Sequence, residues 1–186
     1  VTTFTGKGII DDYEDINLGL AGIRGSDRSD YAMENSDCII ALGTRLTDRT
    51  IRDIEEIEDK LIHVNINDQI LQGDYPVQSR VEDFLGDIEF SGDYSDWVEE
   101  ILEIPPTLFT DGIHDDSVPL RPQSAIYTIH KYFDDNIIVA DAGSHTTWTT
   151  LLKTSNKAYK LLYSGGFAPM GYGVPGAVGA SVACPD

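Results

Sequence analysis

The chain has 186 residues, 41% of them apolar, which suits one domain, or one domain with part of another, around a buried core. A net charge of −19, from 32 acidic against 13 basic residues, argues against nucleic acid and anionic membrane as partners, because such a field repels phosphate. No uninterrupted apolar run reaches the roughly 18 residues of a membrane span, and VTTFTGKGII has neither the basic nor the long apolar region of a signal peptide.

In chain order, SDYAMENS (29–36) predicts a short helix with Ser29 or Asp30 as N-cap. DCIIALGTR (37–45) predicts a buried strand running into a glycine turn. TDRTIRDIEEIED (47–59) puts Ile51, Ile54 and Ile57 at intervals of three and reads as a helix with one buried stripe. KLIHVNIND (60–68) is a second strand with a polar exit, and SDWVEEILEI (95–104) an amphipathic helix. IPPTLFTDGIHDDSVP (104–119) has prolines, a glycine and acids without periodicity, and reads as a linker. RPQSAIYTIHKYFDD (121–135) predicts a helix with Ala125, Ile129 and Phe133 on its apolar face. NIIVADAGSH (136–145) is a third strand ending at Asp141, TTWTTLL reads as helical, and AYKLLYS (158–164) is a short strand. The ending SGGFAPMGYGVPGAVGA (164–180) predicts a helix packed closely on a neighbour through small residues, with Pro175 in its first turn.

Strands alternating with helices give an α/β fold with parallel sheets. The expected pieces are 1–103 and 120–186, joined by the linker 104–119. The acidic runs in IRDIEEIEDK (51–60) and from Glu82 to Glu103 read as solvated surface. Cys38 and Cys184 have no CxxC partner, form no disulfide framework, and fit a reducing, cytoplasmic setting.

Ligands of open parallel sheets bind at the C-terminal ends of the strands. Three loops are therefore candidates. LGLAGIRGSD (18–27) and LGTRLTDR (42–49) combine glycines with Arg45 and Arg49, which can approach and pair with a pyrophosphate; Asn65, Asn67 and Asp68 offer polar contacts nearby. No GxGxxG is present, so ordinary turns and a nucleotide site both stay open. VADAGSHTTW (139–148) offers backbone amides, Ser144 and His145 to a diphosphate, while a lone histidine beside an apolar segment also suits a structural role. In the third loop, Met170 stands among small residues, where filling a gap in the core is the plain alternative.

Taken together, TGKGII, the glycine-arginine segment 18–25, IIALGTRLTDR, LIHVNIND, the pairs Tyr75–Pro76 and Gly86–Asp87, RPQSAI, VADAGSHTTW and SGGFAPMGYGVPGAVGA resemble, in order, the thiamine diphosphate-dependent enzymes of the acetolactate synthase group. The resemblance implies a Rossmann-like, three-layer central domain over 1–103, lacking its first strand and helix, and the opening of the C-terminal cofactor domain over 120–186. It implies thiamine diphosphate and Mg²⁺ as cofactors, a 2-oxo acid as substrate, and condensation of pyruvate to 2-acetolactate, a step toward branched-chain amino acids. By that resemblance Gly143, Ser144 and His145 contact the diphosphate, Gly166, Ala168 and Gly171 lie about the aminopyrimidine, and Met170 supports the bent cofactor. Gly22, Arg24, Gly43, Thr44, Arg45, Asp48, Arg49, Gly86 and Asp87 would border FAD or another nucleotide in the members that bind one.

The resemblance also implies that the chain is an inactive middle piece of a homodimeric or homotetrameric parent, with a regulatory subunit as a further partner. The family's activating glutamate and its Mg²⁺ ligands fall outside these residues. Four positions depart from the common pattern: Ala168 where glycine is usual, Pro169 where threonine is frequent, Arg24 where histidine is common and Thr47 where aspartate is common. A decarboxylase of another 2-oxo acid, and a non-catalytic nucleotide-binding or interaction module, are the alternatives.

Overall fold

The apolar, β-branched runs form the strands of two small parallel sheets in a computed structural model that describes residues 1–185 other than 48, 52, 107–111, 155, 158 and 159. The chain divides into two units, one of Val1 with Leu18–Thr107 and the other of Thr2–Asn17 with Leu108–Asp186. The N-terminal segment around TGKGII is thus grouped with the second unit. There Thr5 approaches Gly165 so closely that a Cβ on Gly165 would lie 2.2 Å from Thr5 Cγ2.

In the first unit β1 (Ile39–Leu42), β2 (Leu61–Asn65) and β3 (Tyr75–Gln78) run parallel in the order β1-β2-β3. Ile39 pairs with Leu61, and Ile62 with Tyr75. The central strand β2 is the most buried, with Leu61, His63, Val64 and Asn65 all inaccessible. Leu61 joins Ala41, Leu46, Ile51 and Ile57 in the core, with Met33, Ile39 and Ile54 packed against them. Truncating Leu61 to alanine would cost about 2–5 kcal/mol. The edge strand β3 carries Pro76, a residue that sheets tolerate at an edge because it has no N–H to donate. Around the sheet lie α1 (Asp27–Asn35), α2 (Val81–Asp87) and α3 (Ser95–Glu103).

Three expectations change in this unit. The helix expected over 47–59 does not form among its described residues, which hold turns and a 3-10 turn at Glu58–Lys60. The Asp53 carboxylate accepts from the Glu55 amide at 3.0 Å, a local bond that competes with helix, and Glu55, Glu56, Glu58 and Asp59 crowd like charge onto the segment. Ile51 and Ile57 are buried nonetheless and Ile54 packs partly buried against them, because spacing by three serves successive turns as well as a helix. The first helix starts earlier than expected, with Ser26 as N-cap accepting from the Ser29 amide at 3.1 Å. Ser29 is instead interior, its hydroxyl donating to the Leu20 carbonyl at 2.6 Å. Both β3 and α2 lie where sequence reasoning placed no element.

In the second unit α4 (Pro122–Tyr132), β4 (Ile138–Val139), α5 (Ser144–Leu152), β5 (Leu161–Leu162) and α6 (Gly173–Ala183) follow one another. β4 and β5 pair in parallel, and Ala140 N–H donates to the Leu162 carbonyl at 2.9 Å to extend the ladder. Pro122 opens α4 at a position that needs no N–H. The face of α4 that packs inward is Ser124, Ile126 and His130, while Ile129 and Phe133 are exposed. Two polar residues on the buried face mask it in the sequence, and the 125/129/133 spacing is equally helical. As expected, α6 packs closely through small residues: a Cβ on Gly176 would lie 2.9 Å from Val139 Cγ1. Its other side carries the exposed Val174, Val178 and Val182.

Candidate functional site

At the C-terminal end of β4 the chain turns through Asp141, Ala142 and Gly143 into α5. Gly143 is the N-cap, with φ 150°, and no side chain caps the helix. A Cβ there would lie 2.8 Å from the ring nitrogen Nδ1 of His145, so glycine lets the imidazole fold back over the turn. The Thr146 amide donates to the Gly143 carbonyl at 3.0 Å, and the Thr146 hydroxyl donates to the Asp141 carbonyl. The first turn of α5 therefore presents its N-terminal amides, with the positive end of the helix dipole, to whatever anion lies before it.

A second loop, 164–172, comes to the same place. Ala168 sits in the left-handed region at φ 49° and its amide donates to Ser164 Oγ at 3.2 Å; Gly171 follows at φ 90°. The Asp141 carboxylate gathers this loop. It accepts from the Gly171 amide at 2.9 and 3.0 Å, from the Gly173 amide at 3.0 Å and from the Ala142 amide at 2.7 Å. The Gly173 N–H foremost, and then those of Ala142, Gly171 and Tyr172, hold its pKa below the ordinary carboxylate value. A Cβ on Gly173 would lie 3.2 Å from the Asp141 side chain, a tight contact that a side chain there would have to push back.

The exit of β4, the start of α5 and one face of α6 border a groove of about 660 Å³ lined by Val139, Asp141, His145, Val174, Val178 and Ser181, with Gly173 and Ala177 completing it. One end is polar and carries the open amides of α5; the other is walled by valines. The arrangement can hold an anionic group at the helix terminus and an apolar body along α6. Among the described residues no group of three or more His, Cys, Asp or Glu is placed to hold a metal ion.

Of the residues expected here, His145 lines the groove, Gly143 and Ser144 precede it in the turn into α5, and the Gly171 amide is bonded to the Asp141 carboxylate. Gly166, Ala168 and Met170 lie in the neighbouring loop, and Met170 is 91% exposed. Sequence reasoning passed over the Asp141 carboxylate and Thr146, although an acid at the exit of a strand before Ala-Gly was a visible signal.

In the first unit, the loop after β1 is fixed by its backbone. Gly43, at φ 64°, donates to the Val64 carbonyl at 2.9 Å. The Thr44 carbonyl accepts from His63 Nε2 and from Asn65 Nδ2, each at 3.0 Å. His63 Nδ1 accepts from the Gln72 amide at 3.0 Å, which assigns the ring proton to Nε2. Gly22 abuts the Arg49 carbonyl, where a Cβ would lie 2.0 Å away, and Ile23 N–H donates to that carbonyl at 3.3 Å. The 18–26 and 43–50 loops therefore meet, with Arg24, Arg45 and Arg49 exposed on them. Gly86 and Asp87 lie exposed at the C-terminal end of α2, with open space where a Cβ on Gly86 would stand. Asp48 lies outside the described residues. Asn65 and Asn67 are engaged locally: Asn65 Oδ1 accepts from the Asn67 amide, and Asn67 Oδ1 from the Gln69 amide, each at 3.1 Å.

Comparison with known families matches two domains in order along the chain. Residues 1–88 match the thiamine pyrophosphate enzyme central domain, and residues 141–186 match the thiamine pyrophosphate enzyme C-terminal TPP binding domain. The acetolactate synthase large subunit of Lactococcus lactis is 30% identical over 200 residues, covering 100% of this chain and 34% of that protein. The isozyme 1 large subunit of Escherichia coli is 30% identical, covering 99% of this chain and 34% of its own. A probable acetolactate synthase large subunit of Methanococcus aeolicus is 28% identical, covering 100% and 35%. The chain thus spans about a third of the length of the curated relatives it matches. Two models of one family, matched in order along one chain, make it a member of the thiamine pyrophosphate enzymes, similar to acetolactate synthase large subunits.

Proposed function

We propose that this chain is part of an acetolactate synthase-like carboligase that binds thiamine diphosphate and Mg²⁺ and condenses 2-oxo acids, pyruvate to 2-acetolactate. The observation that carries the reading is the first turn of α5, which no side chain caps, beside a groove whose other wall is α6. The residues fit the cofactor's two ends. Amides at Gly143–His145 suit the diphosphate, and the valine-lined length of the groove suits the flat faces of an aromatic ring.

When bound, thiamine diphosphate supplies the nucleophilic carbon and the electron sink for decarboxylation and carbon–carbon bond formation. This chain's residues supply position. The Gly143 turn holds negative charge at a helix terminus, His145 covers the turn, and the Asp141 carboxylate fixes the loop that carries Ala168 and Met170. Val174 and Val178 would give the bound cofactor an apolar wall. The exposed arginines and abutting glycines of the 18–26 and 43–50 loops suit FAD or another nucleotide as a second ligand. Exposed Cys38 and Cys184 fit a cytoplasmic setting, and the family resemblance supports a dimer or tetramer with a regulatory subunit. No helix among the described residues is long and apolar enough to cross a membrane.

The test is to incubate the complete protein with pyruvate, thiamine diphosphate and Mg²⁺ and to measure acetolactate and acetaldehyde. Acetolactate as the main product is expected. Acetaldehyde alone would replace the carboligase reading with a decarboxylase. Neither product from any short 2-oxo acid, with no cofactor binding, would leave a non-catalytic module. Ala168, at φ 49° where the related enzymes usually have glycine, is the observation that keeps a decarboxylase of another 2-oxo acid in view.

A further inference from the structure

Asp141 bonds in two directions. Its main-chain carbonyl accepts the Thr146 hydroxyl from the first turn of α5, and its carboxylate accepts the amides of Gly171 and Gly173 at the start of α6. One residue at the exit of β4 thereby joins the start of α5 to the start of α6, the two helices that flank the groove. A free carboxylate would be an unfavourable neighbour for an anion at α5. Here both its oxygens are occupied, and the positive end of the α6 dipole lies against it. Of the two helix N-termini at the groove, α6 is closed by Asp141 and α5 has no side-chain cap. That assignment decides which terminus can take a diphosphate.

We infer that Asp141 is a positioning residue that locks the start of α6 to the loop before α5, and so holds both walls of the cofactor groove in one arrangement. The inference rests on the thiamine diphosphate reading above. It differs from simple capping of α6, because it requires that loosening Asp141 be felt at Gly143–His145 and in cofactor affinity. A cap alone would disturb only the first turn of α6.

The experiment uses the complete protein with Asp141→Asn and Asp141→Ala. Amide hydrogen exchange is followed in the peptides covering 141–147 and 166–176, in the absence of cofactor. Thiamine diphosphate affinity is then measured with Mg²⁺ by tryptophan fluorescence. In the alanine variant exchange should rise about tenfold or more in both peptides, and affinity should fall by a similar factor. The asparagine variant, which keeps one acceptor oxygen, should lie between, and both variants should stay folded in the cofactor-free state with a lowered urea midpoint. Faster exchange confined to 170–176 with unchanged affinity would reduce Asp141 to a cap and overturn the inference. Outright unfolding of both variants would also overturn it, since the role would then be general stability. If the wild-type protein itself binds no thiamine diphosphate, the functional reading fails by that result, while exchange at 141–147 still decides whether Asp141 couples the loops.

Discussion

Arg28 on α1 reaches Ile104, 76 residues later, and its Nε donates to the Ile104 carbonyl at 2.7 Å while an Nη donates to the Leu102 carbonyl at 2.8 Å. These carbonyls end α3 and have no partner within that helix, so a cationic fork from another helix satisfies them and complements the dipole. Arg28→Ala should destabilise the first unit by about 1–3 kcal/mol. Lysine at this position should recover at most part of that, because it lacks the planar fork. Urea unfolding followed through Trp97 on α3, with Trp148 replaced by phenylalanine, reads this unit. An unchanged midpoint would show that the pair contributes nothing in solution.

His130 is buried on α4, and burial first, then the Lys153 ammonium and Lys7, hold its pKa below 6.5; a hydrogen bond to the Leu152 backbone and the charge of Asp134 pull the other way. Lys153 is only 1% exposed and pairs with Asp134 at 3.0 Å. The unfolded chain takes up the histidine proton at the ordinary value and the folded chain only at lower pH. Stability is therefore complete above pH 6.5 and falls as the pH drops below it. Asp141 and Asp134, with pKa values held down, act in a separate window: their contribution is complete above 3.8 and is lost as pH falls through their depressed values. His130→Gln should flatten the upper step and leave the lower one. Stability that stays level from pH 7 to 5 in the wild type would contradict a neutral, buried His130.

Ala168 adopts φ 49°, a region that costs an L-residue roughly 1–2 kcal/mol. Glycine removes that strain but adds about 0.4–1 kcal/mol of unfolded-state entropy. Ala168→Gly should therefore be neutral to stabilising by about 1 kcal/mol, with thiamine diphosphate affinity unchanged or higher. A loss of stability would mean that the methyl group packs usefully.

Tyr163 buries its hydroxyl beside Thr150 without a hydrogen bond of good geometry among the described residues, and burial pushes its pKa up to about 12. Removing a buried, unsatisfied hydroxyl while keeping the ring is neutral or favourable. Tyr163→Phe should raise stability by up to about 1 kcal/mol in thermal unfolding. A loss of that size would show that the hydroxyl is satisfied in solution.

Much of this was legible in the sequence where one physical signal had one meaning. The runs around Ile39 and Leu61 are apolar and β-branched, and they are strands. The small residues of α6 announced a close approach, and Gly176 against Val139 is that approach. The misreadings came where one pattern fits two structures. Ile51, Ile54 and Ile57 serve turns as well as a helix, and the polar Ser124 and His130 hid the buried side of α4. β3 was missed because Tyr75–Pro76 lacks the periodicity of a strand and acquires its extended form from pairing with β2. Asp141 shows a third limit: a carboxylate's partners can lie 30 residues away, at amides whose exposure depends on the fold.

Pro76, on the outer strand of the first sheet, has a consequence for association between molecules. A strand approaching from another chain would seek a continuous row of donors and acceptors along β3, and at Pro76 a donor is missing. That flank is a poor template for runaway stacking into fibrils. A strongly acidic protein that already repels its own copies thus carries, in one ring, a second safeguard that high salt cannot screen away.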